Sequence, residues 1–199
     1  MVNIFNILEE IRQLKQTFYL MFEKPVFLKE AEIGVPLEPV NYEHFKSDLD
    51  ENLSRFGFKS QPNDFFNPQI SKAEFWKLRN ANINRSVVLL QINQAITLNE
   101  LVALVQGVKY TLGKVTGYVP FINEVGMQII VLCNKITNAE NTVNSVDTYS
   151  NQRAIIQSMF VVDNTNRKYY SSITVLQTVT SQIQAAIEKQ ILVQLIPVD

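Results

Sequence analysis

The stretch from Arg85 to Asn134 most narrows what this chain can fold into. It opens on an apolar run, RSVVLLQIN over 85–93, in which Val87, Val88, Leu89, Leu90 and Ile92 leave almost no polar position between them. A strand with one wet face alternates. An unbroken, partly β-branched run predicts a strand covered on both faces. A second apolar run, VGMQIIVLCN, follows at 125–134.

Between the two lies TLNELVALVQGVKYTLGKVTG, 97–117. Leu98, Leu101, Val102, Val105, Val108, Leu112 and Val115 recur there at spacings of three and four, which places them on one stripe of a helix. Thr97 stands three residues before Glu100, the spacing of a capping box. Its hydroxyl can accept from the Glu100 amide while the carboxylate reaches back to the Thr97 amide. Gly113 or Gly117 is expected to close the helix, and Pro120 blocks continuation. Strand, helix and strand in this order predict a β-α-β unit with parallel strands.

The flanking segments are expected to wrap that unit. Over residues 2–23, Ile4, Ile7, Ile11, Leu14, Phe18 and Met21 alternate by three and four, a heptad-like stripe backed by Glu9, Glu10, Arg12 and Lys15. Such a helix must bury its apolar face on its own domain, against another chain or on a membrane surface. Residues 25–41 hold three prolines and Gly34, so they read as a connector with a short edge strand near Val26–Leu28. Tyr42, Phe45, Leu49, Leu53 and Phe56 predict a helix that stops at Gly57. Ser71 with Glu74 suggests a cap for a short helix, Lys72 to Arg79, carrying Phe75, Trp76 and Leu78. A composition shift at Asn80–Asn84 divides a mainly helical portion, 1–84, from a sheet-containing portion, 85–199.

Residues 138–152 are polar, a helix through Val143 and Val146 or a long loop. The β-rich runs 153–162 and 167–176 flank Asp163, Asn164, Thr165 and Asn166, which predicts an antiparallel hairpin. Ile183, Ala186, Ile187, Gln190 and Ile191 predict a closing helix capped by Thr180 or Ser181, with Leu192–Val198 extending it or adding an edge strand. The expected fold is therefore one α/β or α+β domain over 1–199: a mixed sheet with a β-α-β unit and a hairpin, helices on at least one face. A chain of 199 residues supplies a core for this without a disulfide or metal staple.

Composition bounds the function more than it names it. The net charge of −1 offers no global field to gather nucleic acid or anionic lipid. One cysteine, Cys133, excludes an intrachain disulfide, and its place at the end of an apolar run reads as a buried, inert thiol. No window approaches the ~18 apolar residues of a membrane span. Glu9 and Glu10 interrupt any leader-like pattern, which makes the cytoplasm the default compartment.

The search for chemistry returns candidates rather than a set. His44 is the only histidine, and no G-x-S-x-G elbow exists to use it as a base. One Cys and one His cannot build a structural zinc site. Glu30 with Glu32, Asp48 with Glu51, and Asp48 with Asp50 are the near carboxylate pairs for a divalent ion. The six glycines are scattered, so phosphate-cradling loops are missing. A restriction-type nuclease wants an acid two residues before a lysine, and Glu74 with Lys77 comes closest at three. The aromatic and cationic cluster from Phe65 to Arg85 could stack bases, although Phe75 and Trp76 read more simply as anchors. Asn123 and Glu124 would sit at the amino end of the second parallel strand. Asn93 to Thr97, at the carboxyl end of the first, is better placed for a ligand but holds no catalytic set.

The leading expectation is a non-enzymatic interaction or regulatory protein without a cofactor or bound metal. Its partner is itself or another protein, met through Ile4, Ile7, Ile11, Leu14, Phe18 and Met21, rather than nucleic acid. The alternatives are a carboxylate-dependent hydrolase or nuclease using a divalent ion, and a small-ligand sensor built on the sheet.

Overall fold

The computed structural model describes residues 26–27, 29–30, 37–64, 66, 70–80, 83–115, 124–137, 145–146, 155–173 and 178–195. The element order is β1 (Val26–Phe27), β2 (Lys29–Glu30), α1 (Tyr42–Arg55), β3 (Lys59–Gln61), β4 (Lys72–Asn80), β5 (Ile83–Thr97), α2 (Leu98–Val115), β6 (Glu124–Thr137), β7 (Ser145–Val146), β8 (Ile155–Asp163), β9 (Lys168–Ile173) and α3 (Thr178–Leu195). Seven strands form one mixed sheet in the order β2, β9, β8, β6, β5, β4, β3, and β1 pairs separately with β7.

The central unit is as the sequence predicts. β5 and β6 run parallel, with Val88 opposite Ile129 and Leu90 opposite Val131. Side chains alternate between two apolar layers. Val88, Leu90, Ile92, Ile129 and Val131 pack under α2 with Leu98, Leu101, Val105, Val108 and Leu112. Val87, Leu89, Ile130 and Leu132 face α1 and α3, against Phe45, Leu49, Leu53, Ile183, Ile187 and Ile191. Both layers exclude water along Val87–Leu90 and Ile129–Leu132, and the buried polar side chains of these strands, Arg85, Ser86 and Gln128, stand just before those runs.

β8 adds to β6 in parallel and β9 returns antiparallel, which gives the expected hairpin through Asn164–Arg167. The register between β6 and β8 slips once, at Gln157. That extra residue reverses the side-chain parity, so Ile156, Met159 and Val161 all reach the α2 layer. The Gln157 side chain folds over Gly126, where a Cβ would stand 2.6 Å from its amide.

Asp163 ends β8 fully buried and organises the turn. Its carboxylate accepts from the Ile136 amide at 2.7 Å, the Asn166 amide at 2.8 Å and the Asn166 side-chain amide at 2.8 Å. Asn164 then clasps the backbone of Val40 in both directions. α1 and α3 are joined by buried Gln190, which donates to the Phe45 carbonyl at 2.9 Å and accepts from Asn52 at 3.0 Å.

Several expectations change. Lys72–Asn80 is not a helix but a strand, paired antiparallel along its whole length with β5, and the Asn80–Asn84 shift is the connection of that hairpin. Helix α2 runs through Gly113 to Val115, and Gly117, the other expected stop, lies outside the described residues. Val146 lies in a strand with Val26 opposite rather than in a helix. The closing helix starts at Thr178, so Thr180 and Ser181 lie inside it rather than capping it, and it carries on to Leu195, which makes Leu192–Leu195 helical. The amino-terminal helix expected over 2–23 lies outside the described residues.

Truncating the carboxylate that ties the ends of β6 and β8 to the turn leaves the buried Ile136 amide without its acceptor. Asp163→Ala is expected to cost about 3 kcal/mol. Urea unfolding of the variant against the parent chain measures this, and a midpoint unchanged within error contradicts the assignment.

Candidate functional site

β5 passes into α2 without an intervening loop, and the capping box predicted at that junction is formed. The Thr97 amide and hydroxyl each donate to Glu100 Oε2 at 2.8 Å, while the Glu100 amide donates to Thr97 Oγ1 at 3.2 Å. Those bonds, the backbone one first, hold the Glu100 carboxyl below the usual range. The helix start is thereby fixed beside the last residues of the strand.

Here the two edges of β5 part company. Toward β6 the pairing continues to Thr97 opposite Thr137, past a bulge between Ile92 and Ala95. Toward β4 the ladder stops at Lys72 opposite Gln91. Ser71 closes it, donating from its amide to the Gln91 carbonyl at 3.0 Å and accepting from the Asn93 amide at 3.2 Å. Beyond that point Asn93, Gln94 and Ala95 are all exposed, in a strand whose preceding residues are deeply buried.

A cleft of about 540 Å³ opens at this place, between the end of β5 and α2. Ile92, Ile96 and Val108 line it and belong to the buried layer. Phe66 and Leu104 line it half-buried, and Ala103 and Gly107 keep the helix side low. A Cβ built at Gly107 meets nothing within 4 Å. Gln94, Glu100 and Thr111 supply the polar groups. The lining thus holds one carboxylate, one amide and one hydroxyl around an apolar floor, an arrangement suited to binding. The Asn93–Thr97 segment marked by sequence is part of this site. The helix side was missed, because Ala103, Gly107 and Thr111 read only as the back of an amphipathic helix.

The other candidates are placed elsewhere. His44 is exposed near the start of α1, with Nδ1 3.9 Å from Asp48. Asp48 accepts from Gln194 at 2.7 Å, Asp50 accepts from the Trp76 indole at 2.6 Å, and Glu51 pairs with Arg55. Glu74 pairs with Lys46 on the α1 side of the sheet. Lys77, three residues on, occupies the opposite face by strand alternation, so the nearest match to a nuclease pair is separated by the sheet itself. Burial, with Arg79 adding to it, lowers the Lys77 pKa.

The aromatic cluster is likewise divided. Phe75 packs in the α2 layer and Trp76 in the layer under α1, each almost wholly buried, so neither offers a face to a base. Lys72 pairs with Glu43, and Arg85 is buried. Glu30 lies in β2, Glu124 begins β6 at its amino end, and Glu32 and Asn123 lie outside the described residues. So do Ile4, Ile7, Ile11, Leu14, Phe18 and Met21. Among the described residues no group of three or more His, Cys, Asp or Glu is placed to hold a metal ion, and no helix is long and apolar enough to cross a membrane.

Family models, curated proteins and solved structures gave no match. The reading of the site therefore rests on its own geometry.

Two outcomes test that geometry. Gly107 stands exposed inside a helix with open space above it, so Gly107→Ala should stabilise the fold by about 1 kcal/mol. Calorimetry would show this as a Tm rise of about 2–4 °C. Cys133 is buried, and burial followed by the Asp163 carboxylate pushes its thiol up to about 12. A thiol reagent at neutral pH should label it only on unfolding. Rapid stoichiometric labelling of the native protein contradicts that placement.

Proposed function

We propose that this chain is a non-enzymatic protein-interaction or regulatory protein. It meets a partner at the cleft beside α2 and self-associates through the amino-terminal stripe Ile4, Ile7, Ile11, Leu14, Phe18 and Met21. The observation that carries the first half is the cleft itself: an apolar floor, open to solvent, where the β4 ladder has ended. The second half is supported by the sequence pattern, whose apolar positions need cover of comparable length.

Three of the carboxylates on which an enzymatic reading drew hold the layers together. Asp48, Asp50 and Glu74 join α1 to α3 or to β4, and no acid–base pair lines the cleft. A small-ligand sensor is the second reading, favoured by the same cleft because its floor is apolar and its polar groups are few.

Light scattering coupled to size exclusion separates these readings. The full chain is expected to elute as a dimer or larger. Deleting residues 1–23, or placing lysine at Ile11 and Leu14 in the full chain, should leave a folded monomer. A monodisperse monomer for the parent chain removes the self-association half of the proposal.

A further inference from the structure

We infer that the cleft beside α2 binds one small amphipathic amine, its hydrocarbon body on the apolar floor and its ammonium group against the Glu100 carboxylate. The inference deepens the small-ligand reading of this cleft and rests on it. Side chains do the selecting, because backbone donors beside the cleft are already engaged. The Asn93 amide donates to Ser71 Oγ and the Thr97 amide to Glu100 Oε2. An extended peptide finds those donors taken, whereas a compact molecule held by apolar surface does not need them.

Size and lining describe that molecule. The cleft holds about 540 Å³, inside the span of roughly 300–1,000 Å³ usual for small-ligand sites. Ile92, Ile96 and Val108 belong to the buried layer, and Leu104 and Phe66 stand half-buried beside them, so the floor offers aliphatic and aromatic contact without hydrogen bonds. Gly107 adds room for hydrocarbon, since a Cβ built there meets nothing within 4 Å. The place is also apt. It lies at the carboxyl end of a parallel strand, next to the start of the helix that follows, where open α/β sheets bind their ligands.

Charge decides the head group. Among the described residues that line the cleft Glu100 is the one ionisable side chain, with Gln94 and Thr111 the neutral polar ones. The bonds it accepts from Thr97, the backbone one first, hold its carboxyl below the usual range, so it is ionised at neutral pH. Both of those bonds end on Oε2, and among the described residues none is donated to Oε1. An ammonium group supplies the missing donor with the opposite charge; an anion would be repelled, and a neutral head group gains little. Because Glu100 is exposed, water screens its pull. The apolar floor therefore supplies most of the affinity, and the carboxylate sets the preference.

The test titrates the full chain calorimetrically, at neutral pH and low salt, with three probes that share one hydrocarbon chain: octylamine, octan-1-ol and octanoate. Each is expected to saturate at one equivalent, the amine about threefold tighter than the alcohol and the carboxylate weakest. Glu100→Gln keeps a capping side chain but removes the charge, and should bring the amine to the affinity of the alcohol while leaving the alcohol unchanged. Gly107→Leu fills the cleft from an exposed helix position. It should weaken all three probes by about tenfold with an unchanged circular dichroism spectrum.

Saturable amine binding that is lost in Gly107→Leu, with its advantage over the alcohol lost in Glu100→Gln, supports the inference. Equal affinity for amine and alcohol, or a preference for octanoate, overturns the amine assignment, and sensitivity to Gly107→Leu then leaves the small-ligand reading standing. An amine preference that survives Glu100→Gln overturns the role given to that carboxylate. No saturable binding of any probe, or binding indifferent to Gly107→Leu, overturns the small-ligand reading together with the inference.

Discussion

Where β5 and β6 run side by side, every side chain from Val87 to Ile92 except the half-exposed Gln91 leaves water, and this requires cover on two faces at once. The remaining elements answer that requirement. α2 supplies one layer from within the same β-α-β unit, and α1 with α3 supplies the other from the two flanks of the sequence. Parallel pairing cannot be made by a tight turn, so the helix between the strands is both connection and lid. The polar clasps follow the same logic: Gln190 holds α1 to α3, and Asp163 holds the strand ends, in places where unpaired groups would be costly.

The position of the cleft follows from a mismatch in strand length. β5 is longer than β4 at its carboxyl end, and the Thr97–Glu100 box commits the chain to a helix as soon as β5 stops. The last residues of β5 therefore have a helix above them and a pairing partner on one side only. An apolar floor open to solvent is the result, set by buried residues that also hold the core.

Much of this was legible in the residues. The unbroken apolar runs located the central strands, the Thr97–Glu100 spacing located the helix start, and the Asp163–Asn166 link located the hairpin. β4 was not legible, for a physical reason. Phe75 and Trp76 are adjacent and both buried, one in each layer, so the alternation that marks a half-wet strand is absent. Ser71 and Glu74 imitate a capping box, yet Ser71 bonds the Asn93 amide and Glu74 pairs with Lys46. The cleft was half legible: Asn93–Thr97 stood out as a strand end, while the depth left by Ala103 and Gly107 depends on what packs opposite them. No periodicity carries that information.

A sheet with so apolar a centre would be an open invitation to fibril growth if its outermost strands were long. Among the described residues the terminal members are β2, two residues, and β3, three residues, and β3 puts an exposed Lys59 at its margin. Strands this short offer another molecule little backbone to template on, and the Lys59 charge resists being dried. The interior can therefore remain densely aliphatic without making the folded chain a seed for its own aggregation.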